Sequence, residues 1–315
     1  MALTELGKPF DGVIWYWIES SYGTADISTA TLPISCKVQN VRIDSGDRIR
    51  PRRSIESPLV CSFAAKINEP KIHLEYIPQL DDTMIDDAID RAGSCCSLQS
   101  FSFVIGFNKC KTGDDTSWFR VKGAKPQTVR VSASKDADYM IVIDYETQSI
   151  VSVAEGAATC GEEPTALTGA YLQFNVAGEI RKTGGLVVNT DHIAFICNSI
   201  DITVTHNLTG QTDHDSLEKA YLVEGAMDIE GSVDITLDGG GARHFQEVMD
   251  RTEFTITLDL ADLPLAGGIP RITLPSCRWK STSLDKNISS EAMSSSVPFE
   301  CKASSCSTIV SQPTA

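Results

Sequence analysis

Three segments in the first half of the chain decide its fold: KIHLEYIP (71–78), DDTMIDDAIDRAG (81–93) and LQSFSFVIGF (98–107). Apolar residues alternate in the first and third segments, which is the period of a β-strand, and recur at helical spacing in the second. The same succession returns later in the chain, as SVDITLDGGG (232–241), ARHFQEVMDRT (242–252) and EFTITLDLADL (253–263). We therefore predict that a strand–helix–strand unit occurs twice, as an internal duplication.

The spacing of matching residues supports this duplication. The interval from Cys36 to Ile72 and the interval from Cys197 to Val233 are both 36 residues. The intervals from those strands to the Asp-Arg pairs that end the predicted helices are 18 and 17 residues. Agreement over so long a stretch predicts two homologous domains in tandem.

Each predicted unit has one apolar and one polar strand face. Apolar residues on one side of each helix match the apolar strand faces: Ile85, Ala88 and Ile89 in the first copy, and Phe245, Val248 and Met249 in the second. This pattern predicts a sheet with one face covered by a helix and the other in water. Every one-sided sheet has a polar outer face, so the polar residues alone do not indicate a function.

Charge and cysteine content exclude several classes of protein. The 315 residues carry a formal net charge of −15, and such a surface repels nucleic acid and anionic membranes. The N-terminus has no basic start, and the apolar run 13–18 is too short for a signal-peptide core or a membrane span, so we expect folding in the cytoplasm. The ten cysteines are scattered, and we expect most to be reduced and packed, with metal and disulfide roles as alternatives.

Two segments before the first unit are candidates for contact with other subunits. The arm at 9–26 places Trp15, Trp17 and Tyr22 close together, as a core strand or as an anchor on a neighbouring subunit. The loop at 45–58 carries the only basic cluster, which is either solvated or docked on acidic surface of another copy. This cluster consists of Arg48, Arg50, Arg52 and Arg53, and its counterpart in the second copy is the loop 205–219 with Asp213 and Asp215.

Motifs that carry chemistry are weak in this chain. His244 and Glu247 have a spacing that can place two metal ligands on one helix face, but without a third ligand we interpret them as a surface pair. Residues 213–215, near His206, fit a solvated turn, and Gly239–Gly241 lacks the residues that follow in a phosphate-binding loop. We therefore expect no catalytic residue, no cofactor and no metal site, and no enzyme activity.

Several segments together resemble the tail tube proteins of tailed bacteriophages and archaeal viruses. The segment FDGVIWYWIESSYGT (10–24) is similar to their N-terminal arm, and YMIVIDYETQSI (139–150) is similar to a strand–turn–strand found in them. RITLP (271–275) and VPFECKA (297–303) match the strands that close their domain. The resemblance covers most of the chain through loose patterns, and it implies a mainly β fold, with β-sandwich or split-barrel domains that each have one flanking amphipathic helix.

Because the domain is carried twice, the resemblance implies an arm, two tube domains, a β-rich insertion and a mobile tail. The expected boundaries are 1–31, 32–131, 132–190, 191–303 and 304–315. The resemblance also implies homotrimeric rings with pseudo-sixfold symmetry, or hexameric rings as a second choice, that stack into the hollow tail tube of a virion assembled in the host cytoplasm. Double-stranded DNA would pass through the lumen without specific binding, because acids and hydroxyls on the channel wall repel phosphate.

Acids on the polar strand faces are the residues that we expect to line this channel: Glu75, Asp234, Asp238, Glu253 and Asp259. The arm and the two loops are the expected contacts between subunits and rings. The implied partners are other copies of the chain and further tail proteins, namely the tape measure, the terminator, the baseplate and, where the tail has one, a sheath. No membrane insertion is expected. Two alternatives remain open, which are a baseplate hub or distal tail protein that forms a single trimeric ring, and a surface β-sandwich adhesin.

Overall fold

A computed structural model gives the fold of the chain as mainly β, which confirms the expected fold class. The structure describes residues 13–24, 32–33, 38–46, 49–54, 57–65, 69–79, 82–92, 97–107, 117–134, 137–153, 180–184, 197–213, 216, 218–237, 247–259, 271–281, 293–302 and 310–311. All strand pairs in these residues are antiparallel. No helix among them is long and apolar enough to cross a membrane.

The first part of the chain forms twelve strands and one short helix. These are β1 (Val13–Ile18), β2 (Leu32–Pro33), β3 (Val38–Asp44), β4 (Ile49–Ser54), β5 (Ser57–Ala65), β6 (Lys71–Tyr76), α1 (Met84–Ile89), β7 (Arg91–Ala92), β8 (Ser97–Leu98), β9 (Phe101–Phe107), β10 (Ser117–Ser134), β11 (Met140–Glu146) and β12 (Ser149–Val153). The alternation seen in the sequence becomes alternating burial, as in β6, where Ile72, Leu74 and Tyr76 are buried.

The second part forms nine strands, and residues 247–250 are helical. The strands are β13 (Ile180–Gly184), β14 (Cys197–Thr205), β15 (Thr209–Thr212), β16 (Lys219–Val223), β17 (Asp228–Leu237), β18 (Phe254–Asp259), β19 (Arg271–Trp279), β20 (Met293–Cys301) and β21 (Val310–Ser311). Strand β21 lies within the segment 304–315, which we expected to form a mobile tail, and it pairs with the start of β19. The expected domain boundaries stay predictions.

One continuous path of strands runs through both parts in the order β13-β18-β19-β20-β17-β14-β10-β11-β6-β3. Strand β10 makes this possible because it turns a corner between Val121 and Ala124, where the pairing register shifts and Gly123 has a φ of +59°. Before the corner β10 pairs with β9 and β12, and after it with β11 and β14. The β10–β14 pair joins the first part of the chain to the second.

A single apolar core lies behind this sheet. In the first part, β1, β9 and the start of β10 form a second layer. Its Phe101 and Phe103 pack on Tyr145 of β11 and on Tyr16 of β1. Helix α1 adds its buried Met84, Ile85, Ala88 and Ile89 to the same core. In the second part, Trp279 packs on Phe254 and Phe299.

The helices differ from their sequence predictions in length and in one face. Helix α1 has six residues within the predicted 81–93, and its apolar face is the one expected. In the second helix Val248 packs against the core, but Met249, expected on the apolar face, is 66% exposed. Phe245 lies outside the described residues. The prediction of Met249 on the buried face was wrong, because the buried face of this helix contains Glu247 and not Met249.

Strand pairing repeats between the two parts, including its irregularities. Strands β3, β6, β11, β10 and β9 pair in the same order as β14, β17, β20, β19 and β18. The β3–β6 register skips between Val38 and Asn40, and the β14–β17 register skips between Cys197 and Ser199. Counterparts from β3 to β6 differ by 159 in residue number, so Leu74 rather than Ile72 corresponds to Val233.

The cysteine prediction needs one correction. Cys277 and Cys301 are cross-strand partners in β19 and β20, and they form a disulfide that spans 24 residues of sequence. Both are buried, which agrees with cysteines that pack in the core but not with their being reduced. Sequence spacing does not reveal this pair, because the two cysteines become neighbours only through the pairing of β19 with β20.

Candidate functional site

The polar face of the inner sheet is the candidate functional surface. We define the inner sheet as β3, β6, β11, residues 128–134 of β10, β14, β17, β20 and residues 277–279 of β19. Its other face is apolar and buried, as shown by Ile200, Ile202 and Val204 of β14. Only the polar face of the inner sheet can therefore meet water or a passing molecule.

Acids outnumber bases on this polar face. The acids are Asp44, Glu75, Asp144, Glu146, Asp201, Asp228, Glu230, Asp234 and Glu300, and the bases are Arg42, Lys71, Arg130 and Arg278, with His73 between them. Ion pairs neutralise part of the charge, such as the pair of Glu230 with Lys280, the residue that follows β19, at 2.7 Å. The face is thus mixed rather than wholly acidic, with the excess of acid larger on the second part of the chain.

Arg130 and Asp201 bridge the junction between the two parts. The Arg130 Nε lies 3.0 and 2.8 Å from the two carboxylate oxygens of Asp201, and its Nη2 also donates to Asp201. The hydrogen bond to Asp201 raises the pKa of Arg130, so the guanidinium stays charged. Both residues lie on the polar face, at the pair β10–β14. A two-pronged pair of this kind fixes the register of the two strands.

The predicted channel residues separate into three groups. Glu75 and Asp234 lie half-exposed on the polar face of the inner sheet. Glu253 is exposed and bonded to Arg278 at one end of the sheet. Asp259 belongs to β18, which pairs with β19 as β9 pairs with β10. Because β9 is in the second layer, β18 is the corresponding strand of the second part and is not a strand of the inner sheet. The side chain of Asp259 and the whole of Asp238 lie outside the described residues.

The aromatic arm divides between core and surface. Trp17 and Tyr16 are 1% exposed and Trp15 is 9% exposed, in a strand paired with β9. The two tryptophans therefore belong to the core strand, which was one of the two interpretations, and they offer little surface to another subunit. Tyr22 remains partly exposed, in the turn that follows the strand.

A buried carboxylate that the sequence analysis did not single out holds this turn in place. Glu19 is 5% exposed and accepts hydrogen bonds from the Gly23 N–H at 2.8 Å, the Gly123 N–H at 2.9 Å and the Ser102 hydroxyl. These three donors belong to the arm, the corner of β10 and β9. The ESSYGT segment thus connects the arm to the corner where the sheet bends. The sequence feature that could have indicated the role of Glu19 is an acidic residue directly after an aromatic strand and four residues before a glycine, Gly23.

The hairpin β15–β16 docks on the first part of the chain through buried charges. Lys219 donates to Glu146, which also accepts from Lys71 at 2.6 Å. Lys125 donates to Glu224 and lies 3.4 Å from the Leu222 carbonyl oxygen. The side chains of Lys125 and Lys219 are 4% and 6% exposed, so both ion pairs are shielded from water.

Two tyrosine rings complete this docking surface. Tyr22 of the arm and Tyr221 of the hairpin meet edge to face at 5.4 Å between ring centres. The Lys125 ammonium lies 5.4 and 5.2 Å from the same two ring centres, which adds cation–π attraction. Burial alone would raise the pKa of Glu146, but hydrogen bonds from Lys219 and Lys71 outweigh it and hold that pKa low. The carboxylate therefore stays ionised at neutral pH.

A groove of about 550 Å³ lies at the matching place in the second part of the chain. Its walls include Arg278, Glu300, Lys280 and Ser276. Strands β19 and β20 are the counterparts of β10 and β11. In the first pair Arg278 lies opposite Glu300, and at the matching register in the second pair Lys125 lies opposite Glu146. No other described part of the chain fills this groove as β15–β16 fills its counterpart.

The histidine and glutamate that suggested metal ligands have other roles. The His206 Nε2 donates to the Ala88 carbonyl oxygen at 3.0 Å, and burial lowers the pKa of His206 to about 4. Glu247, expected on the surface, is 1% exposed and accepts from the Trp279 indole N–H at 2.9 Å. No group of three or more potential metal ligands is found in the described ranges.

The remaining candidates for contact between subunits lie on hairpins. Arg50, Arg52 and Arg53 are in β4, and Asp213 is exposed at the end of β15. Arg48, Asp215, His244 and Gly239–Gly241 lie outside the described residues. A scan of protein-family models and a search of curated proteins both found no match to this chain.

Proposed function

We propose that the chain is a structural protein that closes into rings, and that the rings stack into the hollow tail tube of a virus. The observation that carries this proposal is the β10–β14 pair, which fuses the sheets of two parts with matching strand order into one inner sheet. Strand β10 of the first part pairs with β14 of the second part. If the counterparts of these strands, β19 of one chain and β3 of the next, pair in the same way, the contact joins one chain to another. Such head-to-tail repetition generates a ring where the rotation closes.

The state of β3 supports repetition across chains. Strand β14 pairs with both β10 and β17, and its Ile200 and Ile202 are 1% exposed. Its counterpart β3 pairs only with β6 in the described part of the chain, and the matching Val41 and Ile43 are half-buried. A strand from another copy beside β3 would finish its burial and remove an open edge that otherwise promotes aggregation.

The polar face of the inner sheet is the surface that would line the channel. Its buried face is already covered by the core, so a ring closed through β3 leaves the face of Glu75, Asp201 and Asp234 toward the lumen or the outside. The excess of acid suits a lumen, because it repels the phosphate charges that DNA carries at roughly one per 1.7 Å. Two parts per chain suggest three chains per ring with pseudo-sixfold symmetry.

A second candidate function shares these features. A baseplate hub or distal tail protein would use the same duplicated sheet in a single trimeric ring. The two differ in whether rings stack, and the acidic, mixed-charge face suits either. A surface adhesin is not favoured by any described feature.

Imaging of the purified chain over a concentration series tests the proposal. Negative-stain electron microscopy with light scattering should find hollow tubes with a central channel. Isolated rings of uniform size would favour the hub. Monomers at every concentration and salt condition would contradict both ring functions.

A further inference from the structure

We infer that the arginine hairpin β4–β5 of one copy docks in the groove on the second part of a neighbouring copy. This inference rests on the proposed ring, and it names the surface and the partner, which is a second copy of this chain. The two hairpins, the occupied site and the open groove carry it.

The two hairpins are counterparts residue by residue. In β4–β5, Arg50 pairs with Ala64, Arg52 with Ser62 and Arg53 with Val60. In β15–β16, the positions numbered 159 higher pair in the same way: Thr209 with Val223, Gln211 with Tyr221 and Thr212 with Lys219. Both registers skip at the same place, between Arg52 and Arg53 and between Gln211 and Thr212. The hairpins are therefore the same structural device carried twice.

The sites are counterparts as well. The occupied site uses Glu146, Lys125 and Gln127, and the Gln127 side chain accepts from the Leu208 N–H at 2.9 Å. The groove presents Glu300, Arg278 and Lys280 at the matching positions of β20 and β19. The corner residues also match, because Gly123 has a φ of +59° and Ser276 has a φ of +49°. The groove thus keeps the corner conformation and one pair of opposite charges, Arg278 and Glu300. Two other positions differ, because Lys280 stands in the place of Gln127 and Glu230 in the place of Lys71.

A chain cannot fill its own groove by the operation that fills the first site. Hairpin β15–β16 follows β14 and docks on the part that precedes it, beyond the β10–β14 pair. Hairpin β4–β5 follows β3 in the same way. If β3 pairs with the second part of a neighbouring copy, as β14 pairs with the first part of its own chain, then β4–β5 docks on that second part. The occupant is therefore a second copy rather than an unrelated protein.

Charge supports this occupant. Lys219 supplies the cation that meets Glu146, and the matching position in β5 is Val60, which has no charge. Arg53 is the cross-strand partner of Val60, and such partners lie on the same face of a hairpin. By strand register, Arg53 is therefore the residue of this hairpin that can supply a cation in place of Lys219. Its acidic partner in the groove is Glu300, the counterpart of Glu146, with Glu230 beside it.

Charge reversal tests the contact. Arg53→Glu and Glu300→Lys are made singly and together in the full-length chain, and assembly is followed by sedimentation velocity. Each single variant should raise the concentration needed for half-assembly roughly tenfold or more, since like charges then face each other. The double variant should recover most of the assembly. Arg251→Glu, an exposed charge reversal at a residue that does not line the groove, should assemble as the wild type does.

The outcomes separate this contact from the ring itself. Assembly by both single variants at wild-type concentration would overturn the contact and leave the tube proposal standing. Failure of the double variant to recover, with circular dichroism showing folded protein, would also overturn it. A wild type that never assembles would contradict both. As a second measurement, amide exchange in β5 (Ser57–Ala65) should slow on assembly, and unchanged exchange there would contradict docking.

Discussion

The carboxylate of Glu19 shows how one residue organises a corner of the fold. It accepts from two backbone N–H groups and one hydroxyl, drawn from three separate segments, in a place with almost no water. Each donor would lose its partner if the carboxylate were removed, and an unsatisfied buried donor costs about 1–3 kcal/mol. The short arm turn is therefore held by polar contacts rather than by packing alone.

Replacement of Glu19 tests this arrangement. Glu19→Ala should lower the free energy of unfolding by about 3 kcal/mol, since it leaves buried donors at Gly23, Ser102 and Gly123 without an acceptor. Urea denaturation measures the change. Ser21→Ala, an exposed position in the same turn, is the matched control and should change stability by less than about 0.5 kcal/mol. Equal losses in the two variants would contradict the role of the carboxylate.

The corner residues of β10 and β19 make an opposite pair of predictions. Ser276 holds a left-handed backbone that costs a residue with a Cβ roughly 1 kcal/mol, while Gly123 holds it at no such cost. Ser276→Gly should therefore stabilise the protein by up to about 1 kcal/mol. Gly123→Ala should destabilise it, because the new Cβ would lie 2.8 Å from the Gln148 Cβ. Thermal unfolding measures both, and a shift of the same sign in the two variants would contradict this explanation.

At the scale of elements, His206 ties the end of α1 to the start of the second hairpin segment. The imidazole Nε2–H donates to the Ala88 carbonyl oxygen of α1, and the backbone N–H of His206 donates to the Gln127 carbonyl oxygen of β10 at 2.9 Å. Burial holds the pKa of His206 at about 4, below its usual 6.5. The unfolded chain therefore binds a proton between these two pH values that the folded chain excludes.

This difference predicts how stability depends on pH. Because the unfolded state gains the proton, stability falls as the pH drops from about 6.5 toward 4. Between pH 7 and pH 5, wild type should lose about 2 kcal/mol more than His206→Gln, whose amide can still donate to Ala88. Burial, with a smaller effect of Asp90, raises the pKa of Asp87 to about 6, which acts in the opposite direction and is common to both proteins. Equal pH dependence in the two proteins, measured by urea denaturation, would contradict the buried neutral histidine.

The disulfide between β19 and β20 predicts a redox effect on stability. Closing a loop of this length stabilises by about 3 kcal/mol in the chain-entropy description. Cys277→Ala with Cys301→Ala should lower the stability of the oxidised protein by about that amount. Differential alkylation with mass spectrometry should find the two cysteines linked, and finding both as free thiols in the native protein would contradict the pair.

The prediction of loops at 45–58 and 205–219 was wrong, because these segments contain β4 and β15, which pair in hairpins. Elsewhere, alternation and helical spacing predicted strands such as β6 and the helix α1, where burial follows the side-chain period directly. They could not predict which strands pair. The corner at Gly123, the β10–β14 pair and the disulfide all join residues far apart in sequence. The site shows the same division: Glu75 and Asp234 follow from alternation, while the role of Glu146 depends on a lysine 73 residues away.

For the whole molecule, repetition is the property that connects fold to function. The two parts share strand order, register skips, corner conformation and a docked or dockable hairpin. Within the chain, this repetition joins one sheet to the next through β10 and β14 and seats one hairpin on the preceding part. Among the described residues, the edge of β3 and the groove lack the strand and the hairpin that cover their counterparts in the same chain. Both gaps fit the proposal that the chain assembles with further copies of itself.

A three-dimensional reconstruction of the assembled protein by cryo-electron microscopy tests the central claim most directly. The proposed arrangement predicts threefold rings in which β3 of each copy pairs with a strand of the next copy and the polar face of the inner sheet surrounds a central channel. An assembly in which the outer edge of β3 faces solvent, or a preparation that contains only monomers, would contradict it.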